Sequence, residues 1–256
     1  MRHRLTPSPL IIFVDERVEH HSGFTRMVAS CCVFRRDRWR ALHGHAGSVR
    51  AVRGRRRLAA LETLLGTLSG LAMLVYADIP PDLLPPDETD GTDDIPRMSR
   101  TDNLWSQLVL SGVTATVAFL QHPDASIGVV DVFFDPKDLT AAHRTQFENV
   151  LRQTLPEIQR DAAVEMPDVF GAGSPDLHFG TIASVGKPPD GVPPNELQAG
   201  TNLAHHLCSQ AAQVIARGSV GRIRVRDHTE VIRSMIEKFT MEPDATSNPP
   251  SNPSAS

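Results

Sequence analysis

The chain has 256 residues, of which 40% are hydrophobic and 22% charged, and a net charge of −4. That length can bury a full-sized core, and that composition excludes a disordered, fibrous or collagen-like chain. Its three cysteines, Cys31, Cys32 and Cys208, form no CxxC spacing and two are sequence neighbours. They therefore support neither a disulfide framework nor a structural zinc site, and a reducing cytoplasm is expected.

Residues 1–9 read as a tail. Leu10 to Glu16 follows as a continuous apolar strand closing on acid, with five apolar residues before Asp15, too few for a signal-peptide core. His20-His21-Ser22-Gly23 reads as a turn and Phe24 to Arg35 as a second strand, which makes a hairpin. Between Arg35 and Arg57 the chain carries nine arginines and one acid. Leu58, Leu61, Leu64, Leu65 and Leu68 then recur at helical spacing, with Gly70 as a stop and Ala72 to Ile79 as a third strand. The apolar stretch Leu64 to Ala77 contains two glycines and is below spanning length, so no membrane segment is expected.

Residues 80–97 form a loop rich in Pro and Asp. Leu104, Leu108, Val109, Val113, Val117 and Leu120 predict a second helix, capped by Thr101 or Asp102. Ser126 to Asp135 reads as a strand that Pro136 stops. A helix is predicted from about Leu139 to Leu155, a strand around Leu177 to Val185, and a last long helix from about Pro194 to Ala216. From residue 240 the chain is a tail of Pro, Asn, Ser, Ala and Thr without the apolar mass to order itself. Strands interleaved with helices predict one α/β domain over residues 10–239, with helices covering a mixed sheet.

Few residues in these elements carry chemistry. Asp15 shares one strand face with Ile11 and Phe13, whereas Glu16 points to the other. Asp135 ends a later strand, and Asp131 has the same strand parity, so either could be the acid that joins Asp15. Glu62 reads as a solvated helix residue. His205, His206 and Cys208 read as structural, because adjacent helical residues diverge. There is no GxxxxGK[ST], GxSxG or GxGxxG motif, which argues against nucleotide hydrolases, α/β-hydrolases and Rossmann enzymes.

Two motifs taken together resemble a known family. Leu10-Ile11-Ile12-Phe13-Val14-Asp15-Glu16 and Asn195-Glu196-Leu197-Gln198-Ala199-Gly200-Thr201-Asn202-Leu203-Ala204 are similar to the opening and closing signatures of the bacterial ribonuclease-H-like family designated domain of unknown function 3800. Its members typically open with apolar residues and Asp-Glu-Ser-Gly, and close with Leu-Gln-x-Ala-Asp-x-x-Ala. Here Arg17-Val18 replaces Ser-Gly, and Asn202 is matched to the closing acid with one residue more in between.

The resemblance implies a ribonuclease-H-like mixed sheet flanked by helices and a nuclease dependent on Mg²⁺ or Mn²⁺. Asp15, Asp135 and Asn202 would be its metal ligands, and Glu16 would be second to them. Hard cations want oxygen donors gathered from separate elements, and Asn202 supplies a carbonyl oxygen without charge. The alternative is a catalytically inactive module that binds nucleic acid or a protein partner. Independently of the family, Arg35, Arg36, Arg38, Arg40, Arg50, Arg53, Arg55, Arg56 and Arg57 point to nucleic acid, because guanidinium groups bind phosphate bidentately. The competing use of this stretch is pairing with the acidic loop.

Overall fold

In a computed structural model the apolar run at Leu10 opens β1 (Leu10–His20), an eleven-residue strand that carries on past Asp15. The reversal at residues 21–24 is closed by the His21 N–H donating to the Phe24 carbonyl at 2.9 Å, and β2 (Thr25–Arg35) returns alongside. The structure describes residues 10–36, 38, 56–83, 100–120, 129–134, 145, 148–149, 151–153, 157, 178–184 and 194–241. Residues 1–9, the loop over 84–97, the tail after 241, most of the helix predicted near 139–155, and most of the arginine-rich stretch lie outside them.

The leucine spacing produces α1 (Arg56–Thr67), with Leu58, Leu61, Leu64 and Leu65 all buried. It ends where Ser69 takes a left-handed φ of 52° and the Gly70 N–H donates to the Leu65 carbonyl at 2.8 Å. Gly70 also lies against Phe34, whose ring would stand 2.4 Å from an added Cβ. The chain then enters β3 (Leu71–Ile79), α2 (Arg100–Leu120), β4 (Val129–Phe134) and β5 (His178–Ser184). The long last helix expected over 194–216 is two helices, α3 (Pro194–Cys208) and α4 (Ala211–Arg217). They part where the Gln210 N–H turns to the Leu207 carbonyl, a tight three-residue closure. Beyond the expected elements lie β6 (Ile223–Asp227) and α5 (Thr229–Met241).

The six strands form one mixed sheet in the order β5-β4-β1-β2-β3-β6. β1 pairs antiparallel with β2 and parallel with β4, while β3 and β6, and β4 and β5, are parallel pairs. Only β2 runs against the rest. Strand alternation sorts the side chains into two cores. Ile12, Val14, Ala29, Cys31, Met73 and Val75 pack under α2 and α5, with Leu108, Val113 and Ile232 above them. Ile11, Phe13, Val28, Cys32 and Leu74 face α1 and α3, with Leu61, Leu65, Leu203 and Leu207 above them. The chain is thus an α/β protein with helices on both faces of a mixed sheet, as its interleaved pattern predicted.

Candidate functional site

The central strand and the helix on top of it build the site. Phe13 lies within 6.0 Å of the Phe133 ring and 6.4 Å of the Phe34 ring, and this aromatic floor supports α3. The helix can come this close because Gly200 has no Cβ; one placed there would stand 2.4 Å from the Phe13 ring. One turn on, the Ser30 hydroxyl donates to the Ala204 carbonyl at 2.8 Å and ties the helix to β2. One turn further, the Cys208 thiol reaches the Asp15 carbonyl oxygen at 3.4 Å and the Ser30 Oγ at 3.3 Å.

Asp15 sits directly beneath this helix, opposite Ser30 in the hairpin and just past Val14, the last β1 residue paired with β4 among the described residues. Its side chain is 3% exposed, and its Oδ2 lies 3.0 Å from Nδ1 of His205. A buried carboxylate needs such a donor, because stripping its water without replacing the hydrogen bonds is costly. A carboxylate only accepts, so the Nδ1 proton points to Asp15, and in the neutral ring Nε2 is the nitrogen that carries the lone pair. The His205 side chain is 45% exposed, so the imidazole is open to solvent while its carboxylate partner is not. The arrangement is a carboxylate–imidazole pair with one buried and one accessible end.

The reading of His205 as structural did not anticipate this contact. The available signal was spacing: Gly200, Ala204 and Cys208 form the stripe that faces the sheet, and His205 stands beside it. His206, its neighbour, has its ring centre 6.1 Å away.

The other sequence candidates fall in different places. Asn202 is half-buried one helical turn before His205, on the same side of α3. Counted without an inserted residue, the closing pattern puts Thr201 at the acid's position. Thr201 is buried, with its hydroxyl directed at the Leu197 and Gln198 carbonyls at 3.4 and 3.3 Å. Glu16 lies on the opposite face of β1 from Asp15, as its parity predicted.

Asp131 pairs in register with Ile11, four residues before Asp15, which is about 13 Å along the strands. Its Oδ1 accepts the Thr181 N–H at 2.8 Å, and its Oδ2 lies 3.4 Å from Arg36 Nη1. Asp131 therefore belongs to the β4–β5 junction and does not share a centre with Asp15. Asp135 lies outside the described residues.

Arg35 pairs with Leu10, about 17 Å from Asp15 along the sheet, so the arginine-rich stretch departs from the end away from the hairpin turn. Arg35 and Arg38 are exposed, and Arg56 and Arg57 open α1. Arg40, Arg50, Arg53 and Arg55 lie outside the described residues.

Among the described residues, no group of three His, Cys, Asp or Glu side chains is placed to hold a metal ion. A divalent cation such as Mg²⁺ takes six oxygen ligands, one or two of them protein carboxylates and the rest waters or phosphate oxygens. Asp15 offers one carboxylate, and its Oδ2 already meets His205. Among the described residues, no helix is long and apolar enough to cross a membrane. Compared with known proteins, the chain matches no family model and no curated protein.

Proposed function

We propose that this protein is a ribonuclease-H-like phosphodiesterase acting on nucleic acid, with Asp15 and His205 as its acid–base pair. The observation that carries the reading is the 3.0 Å contact between a buried strand carboxylate and a half-exposed imidazole on the last long helix of the sheet's α1/α3 face. The sheet supports it as well: a central first strand with an antiparallel hairpin partner on one side and parallel strands on the other suits a ribonuclease-H-like fold. The arginine-rich stretch supports a polyanionic substrate.

Nε2 of His205 takes a proton from a water as its oxygen attacks phosphorus, and Asp15 stabilises the imidazolium that forms. The same nitrogen then returns the proton to the departing oxygen as the P–O bond breaks. A bound Mg²⁺ or Mn²⁺ would neutralise charge on the phosphate, with Asp15, Asp135 and Asn202 as its holders.

The test is cleavage of labelled RNA, single- and double-stranded DNA, and RNA–DNA hybrid by the full chain, with Mg²⁺, Mn²⁺ or EDTA. His205→Gln and Asp15→Asn are each expected to lower kcat by about a hundred- to ten-thousand-fold. Cleavage that persists unchanged in both variants overturns the assignment of the pair. Loss in EDTA with rescue by Mg²⁺ would support the metal. A second reading, a module that binds nucleic acid or a protein partner without cutting, is favoured by Thr201 and Asn202 standing where the resembled family carries an acid. Salt-sensitive binding with no cleavage of any substrate would select it.

A further inference from the structure

We infer that the part of the sheet face just beyond α3, headed by Arg17, is the phosphate-binding subsite of this centre; the inference rests on the acid–base reading above. Strand alternation puts Arg17 on the same face as Asp15, two residues along β1 and about 6.8 Å further. α3 bears on Phe13, Ser30 and Asp15, and the next side chain up the strand on that face, Arg17, is 45% exposed where Asp15 is 3% exposed. A cation thus stands two residues along the strand from the carboxylate that His205 engages, at a position where the resembled family carries serine.

Arg17 is also held in place. Its Nε lies 3.0 Å from Oε1 of Glu19, whose own side chain is 17% exposed and also lies 3.7 Å from His21 Nε2. Engaging Nε fixes the guanidinium plane and leaves its two terminal nitrogens to meet an anion.

The other cation on this face is differently occupied. Arg26 makes two bonds of 2.7 Å to Asp78, lies over the Phe24 and Tyr76 rings, and is 14% exposed. Arg26 is committed to the fold, and Arg17 is the one presented. The chemical class that fits is a phosphodiester strand, with one phosphate between Arg17 and His205.

The test is fluorescence anisotropy of labelled single-stranded RNA and DNA with the full chain, over a series of salt concentrations. Arg17→Ala is expected to weaken binding about tenfold and to reduce the slope of log affinity against log salt by about one. Arg17→Lys should keep the slope and recover part of the affinity, and Glu19→Gln should tighten binding, because it keeps an acceptor for the Arg17 Nε and removes a negative charge beside the phosphate. Arg226→Ala, an exposed arginine on the distant edge strand β6, should leave both quantities unchanged. Wild-type affinity and slope in Arg17→Ala overturn the subsite, as does a wild-type chain that binds neither probe. If His205→Gln abolishes cleavage while Arg17→Ala binds and cuts normally, the subsite falls and the acid–base reading stands. If the Arg17 effects appear in a chain that never cuts, the acid–base reading falls and the anion site stands.

Discussion

A glycine inside a helix weakens it unless a neighbour needs the space its missing Cβ leaves, and two buried helix glycines differ on that point. At Gly112 in α2 an added Cβ would meet Cys31, Val75 and Ala29 at 3.5 to 3.7 Å, ordinary contact distances. Gly112→Ala is expected to stabilise the protein by about 0.5–1 kcal/mol. At Gly200 the same methyl would enter the Phe13 ring, which its aromatic neighbours hold in place. Gly200→Ala is expected to cost about 1–3 kcal/mol and to lift His205 from Asp15. Urea unfolding of the two variants checks the opposite signs.

A second expectation at this scale concerns His228. Burial, the largest influence, pushes its imidazole below the ordinary 6.5; Asp227 opposes the shift and Arg226 adds to it. Its Nδ1 is buried without a hydrogen bond among the described residues. As pH falls through 6.5, the unfolded chain takes up this proton before the folded one, so stability drops as pH falls below about 6.5. His228→Gln should flatten that drop, which thermal unfolding at several pH values would detect; an unchanged slope would remove His228 as its source.

Asp15 was legible in the sequence because an acid closing an apolar run has few structural uses. His205 was not, since the spacing of Gly200, Ala204 and Cys208 marks the side of α3 that faces the sheet but names no partner far up the chain.

Among the elements, β5 depends on one side chain of its neighbour. The β4–β5 ladder is irregular between Val130 and Val132, and there the Asp131 carboxylate takes the Thr181 N–H in place of a backbone acceptor. Gly180 is required beside it, because a Cβ there would stand 2.5 Å from Asp131 Oδ1. Asp131→Ala is expected to cost about 1–3 kcal/mol by leaving the Thr181 N–H without its partner. Asp131→Asn keeps an acceptor and should cost less, although it gives up the ion pair with Arg36. Hydrogen exchange of the β5 amides should rise in the alanine variant first.

Strand parity in the sequence put Asp131 and Asp135 on one face of their strand but could not say how far either stood from Asp15. Register alone decides that, and it is a property of pairing between distant segments. The leucine helix α1 was legible because its buried stripe is strictly periodic. The break between α3 and α4 was not, because no Gly or Pro marks it.

For the molecule as a whole, both cores carry a thiol report. Cys31 lies under α2, Cys32 lies in the core under α1 and α3, and Cys208 closes α3 itself, and all three are buried. Burial pushes Cys31 up to about 12 and raises Cys32 and Cys208 as well. A thiolate-directed reagent is therefore expected to leave the native protein unlabelled and to modify all three thiols at the rate of global opening. Rapid labelling of one cysteine in native buffer would show that its core opens separately. The α/β class was readable at this scale because interleaved strands and helices leave few other layers. The sixth strand and the helix after it were missed, although Ile223–Asp227 alternates apolar and charged residues as a half-buried strand does.

The distance along the chain between Asp15 and His205 has a consequence for how the protein comes into being. They are 190 residues apart in sequence, and ribosomes deliver about 5–20 residues per second. The hairpin strand with the carboxylate is therefore available on the order of ten seconds or more before the helix with the imidazole. During that interval β1, β2 and β3 can pair, since they are consecutive both in sequence and in the sheet. The exposed aromatic floor at Phe13 waits for α3. A nascent chain thus holds the carboxylate of the pair long before its imidazole, and the two meet only when α3 closes over the aromatic floor.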